Sequence, residues 1–205
     1  MISHIGSSYE RRKQLIAKGL TMRDKKNEFC NICSALDNPV RIDLLRLLVE
    51  SKTEFPCVIE IAEKLHICLS IASSYLKQMR EAGLVSSANA DRRVYYRAFP
   101  TNDKASKTLA ALKDFLAREP SPARLAEFLK VVHALSNRRR LSYLRYLNKN
   151  PDARTVDAAR ELGIPTATLD RMFDQLGHAH LVDVHGAVTP PAREPEDTIL
   201  ALALA

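Results

Sequence analysis

Apolar residues recur at helical spacing along most of this chain, and they predict a protein built mainly of α-helices. In the first half, a largely apolar helix is expected after Asn38, whose side chain can cap it, and Pro39 suits its first turn, where a missing backbone N–H costs nothing. A short helix follows Pro56, and another is expected over residues 69–81. Gly83 ends that helix because glycine tolerates the left-handed conformation found after helices.

A β-hairpin is predicted directly after this helix. Leu84-Val85 and Val94-Tyr95-Tyr96 are short strand-forming runs, and residues 86–92 between them form a polar tip. The order helix, helix, short turn, helix and hairpin is that of a winged helix-turn-helix, with the wing within residues 86–97.

The same pattern returns in the second half of the chain. The segment from Ala35 to Arg41 recurs in outline 99 residues later, from Ala134 to Arg140. Positions further along recur at an offset of 97 residues, so one two-residue deletion accounts for both registers. A sustained register with one small gap indicates a tandem duplication. The predicted fold class is therefore mainly α with small β-hairpin wings, in two tandem winged helix-turn-helix domains.

Proline-rich residues 120–122 mark the boundary between the two units. We expect a winged helix-turn-helix domain with its following helix over residues 27–119. A second, degenerate copy is expected over residues 120–205. Residues 1–26 are expected to form a basic N-terminal arm or helix.

Charge and composition narrow the class of protein. The 205 residues carry a net charge of +7, which favours a polyanionic partner without identifying one. Most of the excess positive charge lies in residues 1–26, with seven Lys/Arg against two Asp/Glu.

No apolar stretch of the sequence approaches the roughly 18–20 residues of a membrane-spanning helix. The N-terminus lacks the pattern of a secretory signal, and four cysteines fit a reducing compartment. We therefore expect a cytoplasmic protein without a membrane partner.

Residues 28–118 resemble the ArsR type of bacterial repressor, whereas the second unit resembles it only faintly. The segments that carry the resemblance are Ala35 to Arg41, Ile61 to Leu65, Tyr75 to Val85 and Arg92 to Arg97. The resemblance implies a mostly dimeric protein that places the second helix of its motif in the major groove and its wing along the DNA backbone. Many such proteins release DNA when they bind a metal or another signal.

The helix over residues 69–81 has an outward face of small polar and basic side chains. Hydroxyls can donate to phosphate or touch base edges, and a lysine supplies positive charge. Two adjacent arginines at the wing tip can clamp phosphate or enter the minor groove. The predicted DNA-binding residues are Ser70, Ser73, Ser74, Lys77, Arg92 and Arg93. The resembled family often has a basic residue where Ser74 stands, which indicates modest reading of guanine. The alternative is a solvated helix face without a ligand.

The cysteines leave two interpretations open. Cys30 and Cys33 form a C-x-x-C pair, and Cys57 lies before the helix-turn-helix. Some ArsR-type sensors bind metal there through Cys-x-Cys, but Ile59 stands where the second ligand would be. No complete ligand set is evident, so neither a metal site nor a cofactor is predicted. Cys30 and Cys33 are either small buried hydrophobes or, with Cys57, thiols that sense a metal ion or the redox state.

The second unit lacks the residues predicted to read DNA. Asp170 and Asp174 lie on its corresponding helix and would repel phosphate, and the short hairpin expected over residues 181–188 has no arginine. We expect a structural or dimerising role for this unit, in an internal pseudo-dimer or in a homodimer.

No nucleophile elbow, phosphate-binding loop or zinc-hydrolase signature occurs in the sequence, so no enzyme activity is predicted. The sequence predicts a DNA-binding transcriptional regulator, a repressor, whose partner is double-stranded DNA. Helix 69–81 and wing 86–97 of the first domain are predicted to make the contacts. The alternative is a tandem winged-helix scaffold for protein–protein interaction.

Overall fold

The computed structural model describes residues 28–51, 55–90, 92–191 and 193–205. The predicted basic arm, residues 1–26, lies outside the described residues. The described chain is mostly helical, with a two-stranded antiparallel hairpin. In chain order the elements are α1 (28–36), α2 (Pro39–Glu50), α3 (Val58–Lys64), α4 (Leu69–Glu81), β1 (Ser86–Ala90), β2 (Arg93–Arg97), α5 (Asp103–Ala117), α6 (Pro122–Leu135), α7 (Arg138–Lys149), α8 (Thr155–Leu162), α9 (Thr166–His178) and α10 (Glu196–Leu204). We refer to residues 28–119 as the first half and to residues 120–205 as the second half.

Asparagine side chains fix the start of one early helix in each half. The Asn38 side-chain oxygen accepts a hydrogen bond from the Arg41 backbone N–H at 3.2 Å, and Pro39 occupies the first turn of α2. Asn137 caps α7 in the same way and accepts from the Arg140 N–H at 3.1 Å. Each cap gives a partner to an N–H group that has none within the helix. The predicted cap at Asn38 is confirmed.

Helices α3 and α4 form the helix-turn-helix. Helix α4 has its predicted bounds, residues 69–81, and its inward face buries Ala72, Leu76 and Met79. Beyond its end, Gly83 has a φ of +77°, and a Cβ at this position would collide with the side chain of Asn102. The predicted glycine stop is therefore confirmed, for both conformational and steric reasons.

The first strand of the wing is where the prediction was wrong. Leu84 and Val85, expected as that strand, are fully buried and precede it, while β1 occupies the stretch expected as a polar tip. The Leu84 N–H donates to the Met79 carbonyl at 2.9 Å, a bond that belongs to the end of α4. Leu84 is thus held by the helix terminus and the core, and strand pairing begins at Ser86, opposite Arg97.

The hairpin is attached to the helical body through the start of α3. The Tyr96 backbone N–H donates to the Pro56 carbonyl at 3.0 Å, and Cys57 forms an isolated antiparallel bridge with Tyr95. These contacts fix the wing relative to the helix-turn-helix, because Pro56 and Cys57 immediately precede α3.

One hydrophobic core runs through both halves of the described chain. Helix α5 packs against α10, and α10 also packs against α6 and α7. Phe115 of α5 and Phe128 of α6 lie with their ring centroids 5.0 Å apart, in a tilted arrangement. On α1, the Cys30 thiol donates to the Ser136 carbonyl oxygen at 2.8 Å. The two halves therefore share a continuous interior.

The short second hairpin predicted over residues 181–188 is a tight turn of the chain with a single bridge. In place of two strands, the described residues contain one antiparallel bridge there, between Val182 and Val188. The Asp183 carboxylate accepts hydrogen bonds from the His185 and Ala187 backbone N–H groups at 2.8 and 2.9 Å. These bonds hold the pKa of Asp183 below its usual value and close a tight loop in which a longer ladder cannot form.

No helix in the part of the chain that the structure describes is both long enough and apolar enough to cross a membrane.

Candidate nucleic-acid interface

Helix α4 presents the predicted polar residues on its outer face. Packing of Ala72, Leu76 and Met79 into the core fixes the rotation of the helix. Side chains three and four residues apart then share the opposite face. All four predicted residues of α4 are exposed there: Ser70, Ser73, Ser74 and Lys77.

The two wing arginines lie exposed at the end of the hairpin. Arg92 has a φ of +64°, the left-handed conformation that tight hairpin turns use. Arg93 begins β2 and pairs with Ala90 of β1. Both guanidinium groups are accessible to a polyanion that approaches the wing.

A hydrogen bond joins the wing to α4. The guanidinium of Arg80, in the last turn of α4, donates through Nη1 to the Ser87 hydroxyl of β1 at 3.3 Å. Sequence reasoning did not single out Arg80, although it follows Lys77 by three residues and so lies beside it on the helix. This bond makes the polar face of α4 and the first strand of the wing one continuous surface.

A second basic residue extends this surface on the wing. Arg97 donates through Nε to the Ser86 hydroxyl at 3.1 Å, and its guanidinium lies over the ring of Phe99, 4.3 Å from the centroid. Sequence reasoning missed this role as well. The sequence does carry a sign of it, because side chains alternate along a strand and Arg93 and Arg97 therefore lie on the same side of β2.

Two exposed apolar side chains stand at the start of α4. Leu69 and Ile71 are 50% and 41% exposed, and Ile71 precedes Ser74 by three residues. Apolar side chains in the major groove contact the methyl group of thymine. Neither residue was among those predicted to face DNA, since that prediction took only the small polar and basic side chains.

Arg41 holds α4 against α2 beneath this surface. It donates to the Asp37 carbonyl oxygen at 3.1 Å and contacts the Gln78 side chain. Its guanidinium lies 5.3 Å from the centroid of the Tyr75 ring. Partial burial lowers the pKa of Arg41, and its contacts with Asp37, Gln78 and Tyr75 hold α4 in place.

The second half has a different surface on α9. Asp170, Arg171 and Asp174 are exposed on this helix. Two carboxylates flank one guanidinium there, so the face does not attract phosphate. Arg138 and Arg139 are exposed at the start of α7.

The predicted sensor thiols are buried. Cys30 and Cys33 lie on α1 and Cys57 lies before α3, whereas Cys68 is exposed at the start of α4. Burial raises the pKa of Cys30 and, more strongly, that of Cys33. A hydrogen bond with the Ser70 hydroxyl lowers the pKa of Cys68.

Within the described ranges, no three His, Cys, Asp or Glu side chains converge into a group that could hold a metal ion.

We expect the thiols to differ sharply in reactivity at neutral pH. Cys68 should be alkylated by iodoacetamide first, because it is exposed and its pKa is lowered, and because the thiolate is the reactive form. Cys30 and Cys33 should react only on unfolding, since burial keeps them protonated. Mass spectrometry of time points with and without denaturant measures this order. Alkylation of Cys30 or Cys33 as fast as Cys68 in the folded protein would instead support a sensing role for the pair.

Comparison with known proteins agrees with the geometry of the first half. Residues 38–87, which span α2 to the start of β1, match the model of the bacterial regulatory protein arsR family. This segment is an ArsR-family helix-turn-helix domain. The chain thus carries the DNA-binding domain of a transcriptional regulator. NolR from Sinorhizobium fredii, known from a crystal structure, is 27% identical, covering 46% of this chain and 90% of its own, with a TM-score of 0.37. No curated protein matches the chain.

Proposed function

We propose that this protein is a transcriptional repressor that binds double-stranded DNA sequence-specifically with the first half of the chain. Helix α4 enters the major groove, and the wing of β1 and β2 follows the adjacent backbone. The observation that carries the proposal is that the exposed polar face of α4 lies beside the arginine-bearing wing, with the Arg80–Ser87 hydrogen bond between them. Repression follows when the bound protein covers a promoter in the cytoplasm, where bacterial DNA lies.

The residues of this surface divide into two tasks. Lys77, Arg92 and Arg93 are exposed cations that neutralise phosphates, which supplies affinity and salt dependence. Ser73 and Ser74 present hydroxyls, which donate or accept and so discriminate bases only modestly. The exposed Ile71 adds a contact suited to a thymine methyl group.

A direct experiment on repression uses a promoter fragment that the intact protein selects from genomic DNA. Transcription from this fragment by purified polymerase should fall as protein is added, and a fragment that is not selected should be unaffected. Unchanged or increased transcription at saturating protein would contradict repression, while leaving DNA binding itself intact.

Charge reversal should weaken DNA binding on α4 and have little effect on α9. Lys77→Glu should weaken binding to the selected fragment at least about tenfold, because it replaces a phosphate contact by repulsion. The matched control is the double variant Asp170→Lys and Asp174→Lys on α9, which should stay within about threefold of wild type because α9 makes no DNA contact in this proposal. Fluorescence anisotropy at fixed salt measures both affinities. A large change in the control would show that α9 also meets DNA.

A further inference from the structure

Two equivalent residues of the repeat touch each other across the junction of the halves. Asp37 and Ser136 occupy the same place in the 99-residue register of the sequence. Their side chains meet, with the Ser136 hydroxyl donating to the Asp37 carboxylate at 3.3 Å. In a two-fold assembly, equivalent residues contact one another only close to the axis. This contact is therefore what a pair of related units facing each other would produce.

An arginine–glutamine contact between equivalent helices recurs in the two halves. Arg41 contacts the side chain of Gln78 in the first half, and Arg140 contacts that of Gln175 in the second. These pairs keep the offsets of 99 and 97 residues found in the sequence. Arg140 is buried and also donates to the Ala134 carbonyl at 2.6 Å. The second half thus holds α9 against α7 as the first half holds α4 against α2.

The helices at the junction cover one another. Phe115 of α5 packs on Phe128 of α6. The Arg124 guanidinium of α6 lies over the Phe115 ring, 5.1 Å from its centroid, and forms an ion pair with Glu196 of α10. Just after α1, the Asp37 carboxylate is hydrogen-bonded to Nδ1 of His133 on α6 at 2.8 Å. Helix α5 therefore packs on the second half of the same chain, against α6 and α10, and polar contacts join the residues around the end of α1 to α6.

The large apolar side chains that remain exposed lie away from the junction of the two halves. Among the residues that the structure describes, no exposed large apolar side chain belongs to α1, α5, α6 or α10. They are Phe55, Ile59, Leu69, Ile71, Phe99, Val156 and Val184. These four helices consequently offer no large apolar residue to a second copy of the chain within the described ranges.

We infer that one chain is the complete DNA-binding unit, in which the second half takes the place of a partner subunit. The inference rests on the proposed function. Only the first half carries the basic wing, and α9 exposes Asp170 and Asp174 where α4 exposes Ser73 and Lys77. A palindromic operator is bound by two identical DNA-reading domains related by a two-fold axis. This chain has one DNA-reading domain and therefore binds a single, asymmetric half-site in duplex DNA.

The test combines two mass measurements on the intact chain. Sedimentation of the free protein at micromolar concentration should give the mass of one chain, 23.0 kDa. The DNA probe is the shortest duplex that is protected when the protein binds a fragment it selected from genomic DNA. Native mass spectrometry should find one chain on this duplex. A duplex with two inverted copies of the motif should bind two chains independently, with equal affinities at both sites.

The outcomes separate this inference from the proposed function. A free protein of twice the chain mass, or two chains bound cooperatively to one inverted repeat, would overturn the single-chain inference and leave DNA binding standing. Failure to retain any duplex would overturn both. A monomer that occupies one motif per chain would support both.

Discussion

Replacing Arg92 and Arg93 together by alanine is expected to weaken binding to the selected DNA at least about a hundredfold. Both arginines are exposed at the end of the wing. Each hydrogen bond to a charged group contributes roughly 1.5–3 kcal/mol to binding, and the double variant loses the bonds that both arginines make to phosphate. Removing two phosphate contacts should also lower the slope of log affinity against log salt by about 2. Anisotropy titrations at several salt concentrations give both quantities.

The control removes an equal charge from another exposed arginine pair. Arg138→Ala with Arg139→Ala lowers the net charge by the same amount, at the start of α7. Its affinity and salt slope should stay close to those of the wild type if the wing contacts DNA locally. Equal losses in the two double variants would mean that overall charge, and not the wing, determines binding.

Phe128→Ala is expected to lower the free energy of unfolding by about 3–5 kcal/mol, as for other buried Phe residues. The Phe128 ring is fully buried and packs on Phe115 of the first half, so its removal leaves a cavity at the junction. For a chain of this size the melting temperature should fall by roughly 6–20 °C. Chemical denaturation followed by circular dichroism measures the change, and a single transition is expected because the core is continuous.

Val184→Ala is the control for this substitution. Val184 is 86% exposed in the loop of the second half, so its truncation should leave the stability almost unchanged. Two separate unfolding transitions in the wild type, or a loss below about 1 kcal/mol for Phe128→Ala, would contradict a shared interior.

Local patterns predicted the elements that local chemistry determines. The cap at Asn38, the bounds of α4 and the stop at Gly83 depend on residues within one turn of each other, and all three are confirmed. The same reasoning failed at Leu84, because the core and the end of α4 compete with strand formation there. At the short second hairpin the predicted residues do reverse the chain, and the carboxylate of Asp183 closes the loop.

The parts of the site that sequence reasoning missed depend on contacts between elements. Arg80 meets Ser87 only after the hairpin has folded back beside α4, and no spacing rule connects a helix terminus with a strand. Exposure of Ile71 follows from the rotation of α4, which its buried neighbours set. The exposure of the serines, Lys77 and the wing arginines could be predicted because helical periodicity and hairpin order place them outward without knowledge of the packing.

Selection of DNA by the intact chain tests the central claim most directly. Purified protein is mixed with sheared genomic duplexes at near-physiological ionic strength, and the retained fragments are sequenced. We expect a small set of fragments that share one short motif, and we expect the Arg92→Ala, Arg93→Ala double variant to lose this enrichment. Retention of fragments without a shared motif, or equal enrichment by that variant, would contradict sequence-specific binding through the helix face and wing of the first half.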